Sequence, residues 1–352
     1  MRIALLTIWH CYNYGAELQT YATVRALKEL GHDVVVIDYR LSPRTSLNGL
    51  LRKLSKALHY VAPVELKFHL FWHKYIPHTR YYGSIEDLTA DPPKADLYLV
   101  GSDQVWNPQI TGDRAPAYFL VFAPKEQALA SYASSIGTDT WLGGKAITSI
   151  AKEQLDCFKG ISCRESQGCQ IIKETFELSA AQVLDPTLLH QSYPELTGKI
   201  YKNNTLVYYQ LSETPSLKAF AERKAAEMGL EFVDVNKQTR LTPTFGWNRR
   251  SVQQWIKAIA ESKYVITHSF HGVAMCLLHH RQVVAIYTSG NRIARLQHLL
   301  CLVGLQDRLF TSIEDAQKSD VWFNSIDYDR VDALLENQRE SSWKYLKQIT
   351  ET

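Results

Sequence analysis

The sequence lacks any run of about 18 or more apolar residues, the length that a membrane-spanning helix requires. It also carries little net charge, +3 at pH 7, and its acidic and basic residues are interspersed. This balance gives no support for a nucleic-acid binder with a dedicated basic face. The chain does not open with a basic region, an apolar core and a small-residue cleavage site, so no signal peptide is predicted. We therefore expect a cytoplasmic protein without a membrane span and without a nucleic-acid partner.

Signals for metals and dinucleotides are also absent. The six cysteines show no paired spacing of the kind that zinc sites use, and several lie within apolar patterns, which predicts reduced and mostly buried thiols. The first strand-to-helix turn contains the single Gly15 instead of the glycine-rich fingerprint of dinucleotide-binding folds. Gly15 either admits a ligand close to the backbone or only serves the turn. No metal and no NAD or FAD cofactor is predicted.

What the sequence does contain is an alternation of strands and helices. A strand at 3–7, a helix at 17–30 and a strand at 34–39 form a βαβ unit, and the pattern restarts with a strand at 205–211 after a polar linker. Because 352 residues exceed one typical core, we predict an α/β fold of two Rossmann-like, doubly wound domains that face a central cleft. The predicted boundaries are residues 1–192, with a helical insertion at about 42–91, residues 193–330, and a helix at 331–352 that packs back on the first domain.

The stretch from Tyr264 to Met275 is the strongest candidate for a site. An apolar, β-branched strand passes through a polar turn into an apolar helix, and ligands bind at such turns because a helix N-terminus favours anions. His268, Ser269 and His271 lie on this turn. Imidazole titrates near neutral pH, so either histidine would be able to move a proton. The alternative is that both are structural residues beside a turn.

Polar residues follow other predicted strands. Asp103 and Gln104 come after the strand at 95–100, where they form either a capping pair or a site for hydroxyl groups. Arg164 follows a short strand, and its guanidinium would bind a carboxylate or phosphate, or else pair with Glu165. Arg292 and Arg295 follow the strand that ends at Thr288.

Five segments together resemble the polysaccharide pyruvyltransferase family, from Ile3 to about Arg308. They are Asn13–Gln19, Gly101–Asn107, Ser162–Glu165, Leu184–Thr187 and Ser269–Gly272. The resemblance implies a fold similar to two-domain GT-B glycosyltransferases, with the donor bound mainly on the second domain and the acceptor on the first. It also implies transfer of pyruvate from phosphoenolpyruvate to two hydroxyls of a sugar, forming a pyruvate ketal and releasing phosphate, in the synthesis of cell-surface polysaccharide such as exopolysaccharide. Phosphoenolpyruvate would be a substrate, so no cofactor is implied.

The resemblance also assigns roles to residues. His271 would be the general acid or a hydrogen-bond donor to phosphate, and Asp103 would orient or deprotonate the acceptor hydroxyl. Many members have arginine where this chain has Phe270, so the candidates to grip the donor are Arg164, Arg292 and Arg295. The residues predicted to bind substrate are Asn13, Tyr14, Gly15, Ser102, Gln104, Arg164, His268, Ser269, Phe270, Arg292 and Arg295. His271→Ala is expected to abolish turnover with folding intact, and Arg164→Ala chiefly to raise the donor requirement.

Two other functions compete with this one. The chain would be a GT-B glycosyltransferase that uses a nucleotide sugar, or a non-catalytic relative that binds glycans. The acceptor sugar would be lipid-linked or nucleotide-linked. The basic, aromatic segment at 44–80 would suit peripheral contact with a membrane, and a solvated helical face explains the same residues equally well.

Overall fold

The computed structural model describes residues 1–40, 63–212, 214–237, 239–240, 247–288 and 293–351. The chain forms two compact units. The described residues of the first unit are 1–40, 68–190 and 338–351, and those of the second are 63–67 and the described part of 191–337. The sequence predicts the domain boundary between residues 192 and 193. The division between the two units lies two residues earlier, between residues 190 and 191.

The first unit contains a five-stranded parallel sheet. Its strands are β1 (Arg2–Leu6), β2 (Asp33–Tyr39), β3 (His78–Tyr82), β4 (Leu97–Val100) and β5 (Ala128–Ser131). They lie in the order β3-β2-β1-β4-β5, the order of a Rossmann sheet. The central strand β1 aligns Ile3 with Val34 on one side and with Leu97 on the other. Apolar runs form these strands because both faces of a parallel sheet are covered by helices.

The helices and shorter strands of this unit connect or flank the sheet. The helices are α1 (Tyr14–Glu29), α2 (Pro63–Tyr75, which begins in the second unit), α3 (Ile85–Ala90), α4 (Pro108–Thr111), α5 (Lys145–Asp156), α6 (Ser166–Phe176) and α7 (Pro186–Leu189). The short strands β6 (Ser162–Cys163) and β7 (Ala181–Gln182) pair in parallel. A bridge between Ser134 and Cys163 brings β6 beside the chain that follows β5.

The second unit contains another five-stranded parallel sheet. Its strands are β8 (Thr205–Tyr209), β9 (Glu231–Asp234), β12 (Tyr264–Thr267), β13 (Gln282–Ile286) and β14 (Leu309–Phe310), in the order β14-β13-β12-β8-β9. The strands β10 (Thr239–Arg240) and β11 (Trp247–Asn248) form a separate antiparallel pair. The helices are α8 (Pro194–Thr197), α9 (Pro215–Glu227), α10 (Val252–Glu261), α11 (Phe270–Leu278), α12 (Ile293–Leu302), α13 (Ile313–Lys318) and the first part of α14 (Tyr328–Thr350).

The last turns of α14 belong to the first unit. Arg339 Nε donates to the carbonyl of Leu188 at 2.8 Å, and Ser342 Oγ accepts from the backbone N–H of Leu184 at 2.9 Å. The Tyr345 hydroxyl donates to the carbonyl of Ser131 at 3.1 Å. These bonds attach the last turns of α14 to α7, to the loop before α7 and to the end of β5.

The predicted fold class is confirmed, since both units are α/β structures with parallel sheets. The strand β3 was not predicted, because it lies at the sheet edge and its half-exposed residues do not form an apolar run. Residues 42–62 of the predicted helical insertion at about 42–91 lie outside the described residues. No helix in the described part of the chain is long and apolar enough to cross a membrane. The cysteines are all free, but Cys11, Cys157 and Cys301 are exposed, so the expectation of mostly buried thiols was wrong for these three.

Candidate functional site

The turn between β12 and α11 is held by its own side chains. Ser269 is the N-cap of α11, and its Oγ accepts from the backbone N–H of Gly272 at 3.3 Å. The backbone N–H of Ser269 donates in turn to Thr267 Oγ1 at 3.0 Å. This capping fixes the start of the helix, where the positive end of the helix dipole lies.

Gly272 lets the start of α11 approach the sheet closely. A Cβ atom at this position would lie 2.8 Å from Thr267 Oγ1 and 3.1 Å from Tyr209 Cδ1. Real Cβ atoms essentially never make a contact as short as the first of these, and the second is unusually tight, so a larger residue would force the helix turn or the side chains of Thr267 and Tyr209 to shift. The glycine therefore determines how far His271, one residue earlier, stands from the strand ends.

His271 lies in the first turn of α11 and is 7% exposed. The ring of Phe270 meets it edge to face, with 5.3 Å between centroids, and Phe270 is itself buried. An imidazole among buried neighbours has few orientations available, so its position is set by packing. The structure thus places the predicted acid at a helix N-terminus that suits an anion.

His268 has a defined tautomer. Its Nε2 accepts from the backbone N–H of Leu211 at 3.1 Å, so in the neutral ring the proton is on Nδ1. Burial lowers the pKa of His268 to about 4. The side chain is therefore uncharged at neutral pH and presents an N–H donor, which suits it to binding a substrate oxygen and not to supplying a proton.

Gln210 contacts the turn between β12 and α11 and was not identified as a candidate from the sequence. It follows β8, is almost fully buried, and accepts at Oε1 from the backbone N–H of His268 at 3.1 Å. The Asn236 amide, beyond β9, donates to the carbonyl of Gln210. The sequence carried no specific signal for either residue, since Gln210 lies within the strand predicted at 205–211 and Asn236 follows a strand, as many loop residues do.

The predicted arginines of this unit are placed only in part. Arg295 is half-buried in the first turn of α12, and Arg292 lies outside the described residues.

In the first unit, the turn before α1 holds Asn13, Tyr14 and Gly15. Asn13 is the N-cap of α1, and its Oδ1 accepts from the backbone N–H groups of Gly15 and Ala16 at 2.9 and 3.3 Å. Tyr14 is fully buried and stacks on Phe68 with 5.6 Å between centroids. Of the three predicted residues, only Asn13 retains partial exposure.

Glu17 is a buried carboxyl group beneath this turn. Its Oε2 accepts from Trp72 Nε1 at 2.6 Å, and its Oε1 accepts from the backbone N–H of Cys11 at 3.2 Å. His10 and Tyr12, with φ angles of 61° and 56°, adopt the left-handed conformation that is costly for residues with a side chain. The carboxyl group holds this strained turn in place. Burial raises the pKa of Glu17 to about 7, although these hydrogen bonds oppose the shift.

The raised pKa of Glu17 predicts a pH-dependent stability. The folded state holds the proton more tightly than the unfolded chain, whose carboxyl has a pKa near 4.5, so this contribution is complete below pH 4.5 and is lost as pH rises through 7. The unaltered protein should have a larger free energy of unfolding than the Glu17→Gln variant. This difference should shrink by about 3 kcal/mol as the pH rises from 4.5 through 7. Urea unfolding of both proteins at several pH values measures this difference. A difference that does not change with pH would contradict the shift.

Arg164 lies in a buried ion-pair network. Its Nε donates to Glu165 Oε1 at 2.9 Å and its Nη1 to Asp185 Oδ2 at 2.8 Å, and all three side chains are buried. Ser102 Oγ donates to the same Asp185 oxygen at 2.9 Å. Burial alone would lower the pKa of Arg164, but the charges of Glu165, Asp185 and Asp103 raise it above its usual value. The sequence left open whether Arg164 binds a ligand anion or pairs with Glu165. The structure shows the ion pair with Glu165 and a second one with Asp185.

Asp103 and Gln104 follow the end of β4 and lie in different environments. Asp103 is partly exposed and has a φ of 72°, and its Oδ1 accepts from the backbone N–H of Gln104 at 2.9 Å. Gln104 is buried, and its Oε1 accepts from Asn107 Nδ2 at 3.1 Å. Asp103 is therefore the residue of this pair that a substrate would reach, and a strained backbone at a partly exposed carboxylate is typical of functional positions.

The described part of the chain has no group of His, Cys, Asp or Glu side chains arranged to hold a metal ion. A surface depression of about 430 Å³ lies near Arg2, Lys94 and Asp96, at the amino ends of β1 and β4. It is at the opposite edge of the sheet from Ser102 and Asp103.

Comparisons with known proteins give a family and a fold. The family model described as polysaccharide pyruvyl transferase matches residues 13–290. No curated protein matches the chain. Among solved structures, the UDP-GlcNAc 2-epimerase from Neisseria meningitidis bound to UDP-GlcNAc has a TM-score of 0.55 and 10% identity, with 99% of each chain covered. A spinosyn forosaminyltransferase has a TM-score of 0.52 and 11% identity, also with 99% of each chain covered. A spinosyn rhamnosyltransferase has the same TM-score and identity, with both chains covered completely. These similarities show the fold, which is the GT-B-like fold that was predicted.

Proposed function

Since the chain belongs to the polysaccharide pyruvyl transferase family, we propose that it transfers pyruvate from phosphoenolpyruvate to two hydroxyl groups of a sugar in the cytoplasm. The products would be a pyruvate ketal on a cell-surface polysaccharide or its precursor, and phosphate. The observation that carries the proposal is the family match, which spans the turn at Asn13, the strand end at Asp103 and the helix start at His271.

The reaction requires two additions to one carbon of phosphoenolpyruvate. A sugar hydroxyl oxygen bonds to the carbon that carries the phosphate, while the methylene group gains a proton and becomes a methyl group. The bond from that carbon to the phosphate oxygen breaks, and a second hydroxyl oxygen bonds to the same carbon. In the overall balance, one hydroxyl proton is accounted for by the new methyl group and the other is carried by the released phosphate. The enzyme must orient both hydroxyls and stabilise the charge that develops.

The site residues are assigned to these steps as follows. His271, at the positive end of the α11 dipole, protonates the methylene group or donates to the departing phosphate. His268 is uncharged and donates a hydrogen bond from Nδ1. Asp103 orients or deprotonates a sugar hydroxyl, because its carboxylate is partly exposed. Arg164 is not assigned to the donor, because two buried carboxylates bind its guanidinium.

Phosphate release from phosphoenolpyruvate is the measurement that tests this function. The purified protein should release phosphate only when a suitable sugar is present, from a panel of galactosides, glucosides and mannosides. Mass spectrometry should then show that the mass of the sugar has increased by the mass of one pyruvic acid less one water. Heat protection by a nucleotide sugar, with no phosphate release for any acceptor, would indicate a glycosyltransferase instead. Glycan binding without either result would indicate a non-catalytic relative.

A further inference from the structure

Two buried amide groups at the carboxyl ends of β8 and β9 have unused hydrogen-bonding capacity. Gln210 is 1% exposed, and its buried Nε2 has no partner among the described residues. The buried Oδ1 of Asn236 likewise has none. A buried polar group without a partner costs stability, commonly about 1–3 kcal/mol, so native structures rarely retain one without a reason. A ligand that supplies the missing partners would remove this cost.

The two groups are neighbours with opposite hydrogen-bonding roles. The Asn236 amide donates to the carbonyl of Gln210, which places the two residues side by side. The Oε1 of Gln210 already accepts from the backbone N–H of His268, so the amide orientation is fixed and Nε2 is the donor. Asn236 uses its Nδ2 for the Gln210 carbonyl, so its Oδ1 is the acceptor. The remaining capacity is therefore one donor and one acceptor, and hydroxyl groups can serve in either role.

The charges around these amides favour an uncharged ligand. Asp234 Oδ1 accepts from the backbone N–H of Asn236 at 2.9 Å, and Asp234 Oδ2 pairs with Lys218 at 2.8 Å. That cation is thus already matched by a carboxylate. His268 is uncharged at neutral pH, because burial lowers its pKa. A phosphate or carboxylate would meet no uncompensated positive charge from these residues, whereas a hydroxyl group needs none.

We propose that Gln210 and Asn236 bind hydroxyl groups of the sugar acceptor, with His268 Nδ1 as a second donor. The identity of the ligand as the acceptor sugar rests on the proposed function. Part of the acceptor site then lies on the second unit, which the sequence predicted as the donor side. Gln210 Nε2 donates to a hydroxyl oxygen, and Asn236 Oδ1 accepts from a hydroxyl group.

The test replaces one amide nitrogen by oxygen. Gln210→Glu keeps the oxygen that accepts from His268 but loses the Nε2 donor. We expect the KM for the acceptor sugar to rise about tenfold or more, with the KM for phosphoenolpyruvate changed by less than about twofold. Asn236→Ala removes the acceptor atom. It should likewise raise the KM for the acceptor sugar and leave the KM for phosphoenolpyruvate nearly unchanged. Gln254→Glu is the matched control, because Gln254 is an exposed capping residue of α10 and the same atom is changed. Thermal unfolding of each variant shows that it is folded.

Two results would overturn the proposal while the proposed function stands. One is an unchanged KM for the sugar in both variants, as expected if a buried water occupies the amides. The other is an increase confined to the KM for phosphoenolpyruvate. If the unaltered protein releases no phosphate, the proposed function fails, and binding of the methyl glycosides is then measured by NMR saturation transfer. Binding that is lost in Gln210→Glu and kept in Gln254→Glu supports the site. Equal binding to all three proteins, or binding to none, overturns it.

Discussion

The variant His271→Ala is expected to release phosphate from phosphoenolpyruvate about 10²- to 10⁴-fold more slowly than the unaltered protein. The imidazole lies in the first turn of α11, one residue before the glycine that sets the distance between this helix and the strands. Its loss removes either the proton donor to the methylene group or the hydrogen bond to phosphate. Steady-state phosphate release at saturating phosphoenolpyruvate and sugar measures the effect on kcat.

A second substitution separates the two roles of His271. Asparagine retains an N–H donor but cannot transfer a proton near neutral pH. If His271 donates a hydrogen bond to phosphate, His271→Asn should retain much of the rate that alanine loses; if it is the general acid, both variants should be equally slow. His279→Ala is the control, because His279 caps the other end of the same helix and is also partly buried. A folded His271→Ala protein with near-normal kcat would contradict both roles.

Arg164→Ala is expected to destabilise the first unit by about 3–5 kcal/mol, since it leaves buried carboxylates without their cation. Glu165 and Asp185 are 4% and 1% exposed, so bulk solvent does not reach their carboxylates in the unaltered protein. Asp185 also accepts from the backbone N–H of Thr187 at the start of α7, so its displacement would disturb that helix. The expectation from sequence, that this variant would chiefly raise the donor requirement, stays a prediction beside this one. Urea unfolding and the melting temperature measure the loss of stability.

An exposed arginine provides the control for Arg164. Arg80 also contacts two carboxylates, Asp87 at 2.9 Å and Asp91 at 3.2 Å, but all three side chains are exposed. Solvent screens such pairs, so Arg80→Ala should change the melting temperature far less. In the Arg164→Ala background, Glu165→Gln should recover part of the lost stability, because it removes one uncompensated charge. An Arg164→Ala protein of normal stability with a raised KM for phosphoenolpyruvate would instead favour a role in donor binding.

The local spacing of apolar and polar residues was sufficient to predict the α/β architecture. Apolar runs alternate with helical periodicity in both halves, and the strand predicted at 34–39 lies within β2, Asp33–Tyr39. The polar turns follow these strands directly, so the placement of Asp103 and His271 at strand and helix ends was also predictable. The edge strand β3 was missed, because its exposed residues lack the apolar signal of a buried strand.

The sequence by itself determined the two parallel α/β units and the turns on which the candidate residues lie, because these depend on the spacing of apolar and polar residues within one segment. Only the tertiary structure decided which partners those residues contact. Trp72 reaches Glu17 across 55 residues, Asp185 reaches Arg164 across 21, and Leu211 sets the tautomer of His268 across 57. The last contact exists because β8 pairs with β12, strands that are separated in the chain by β9, β10 and β11. Hydrogen-bond partners and burial are set by such pairings, and local sequence spacing does not encode them.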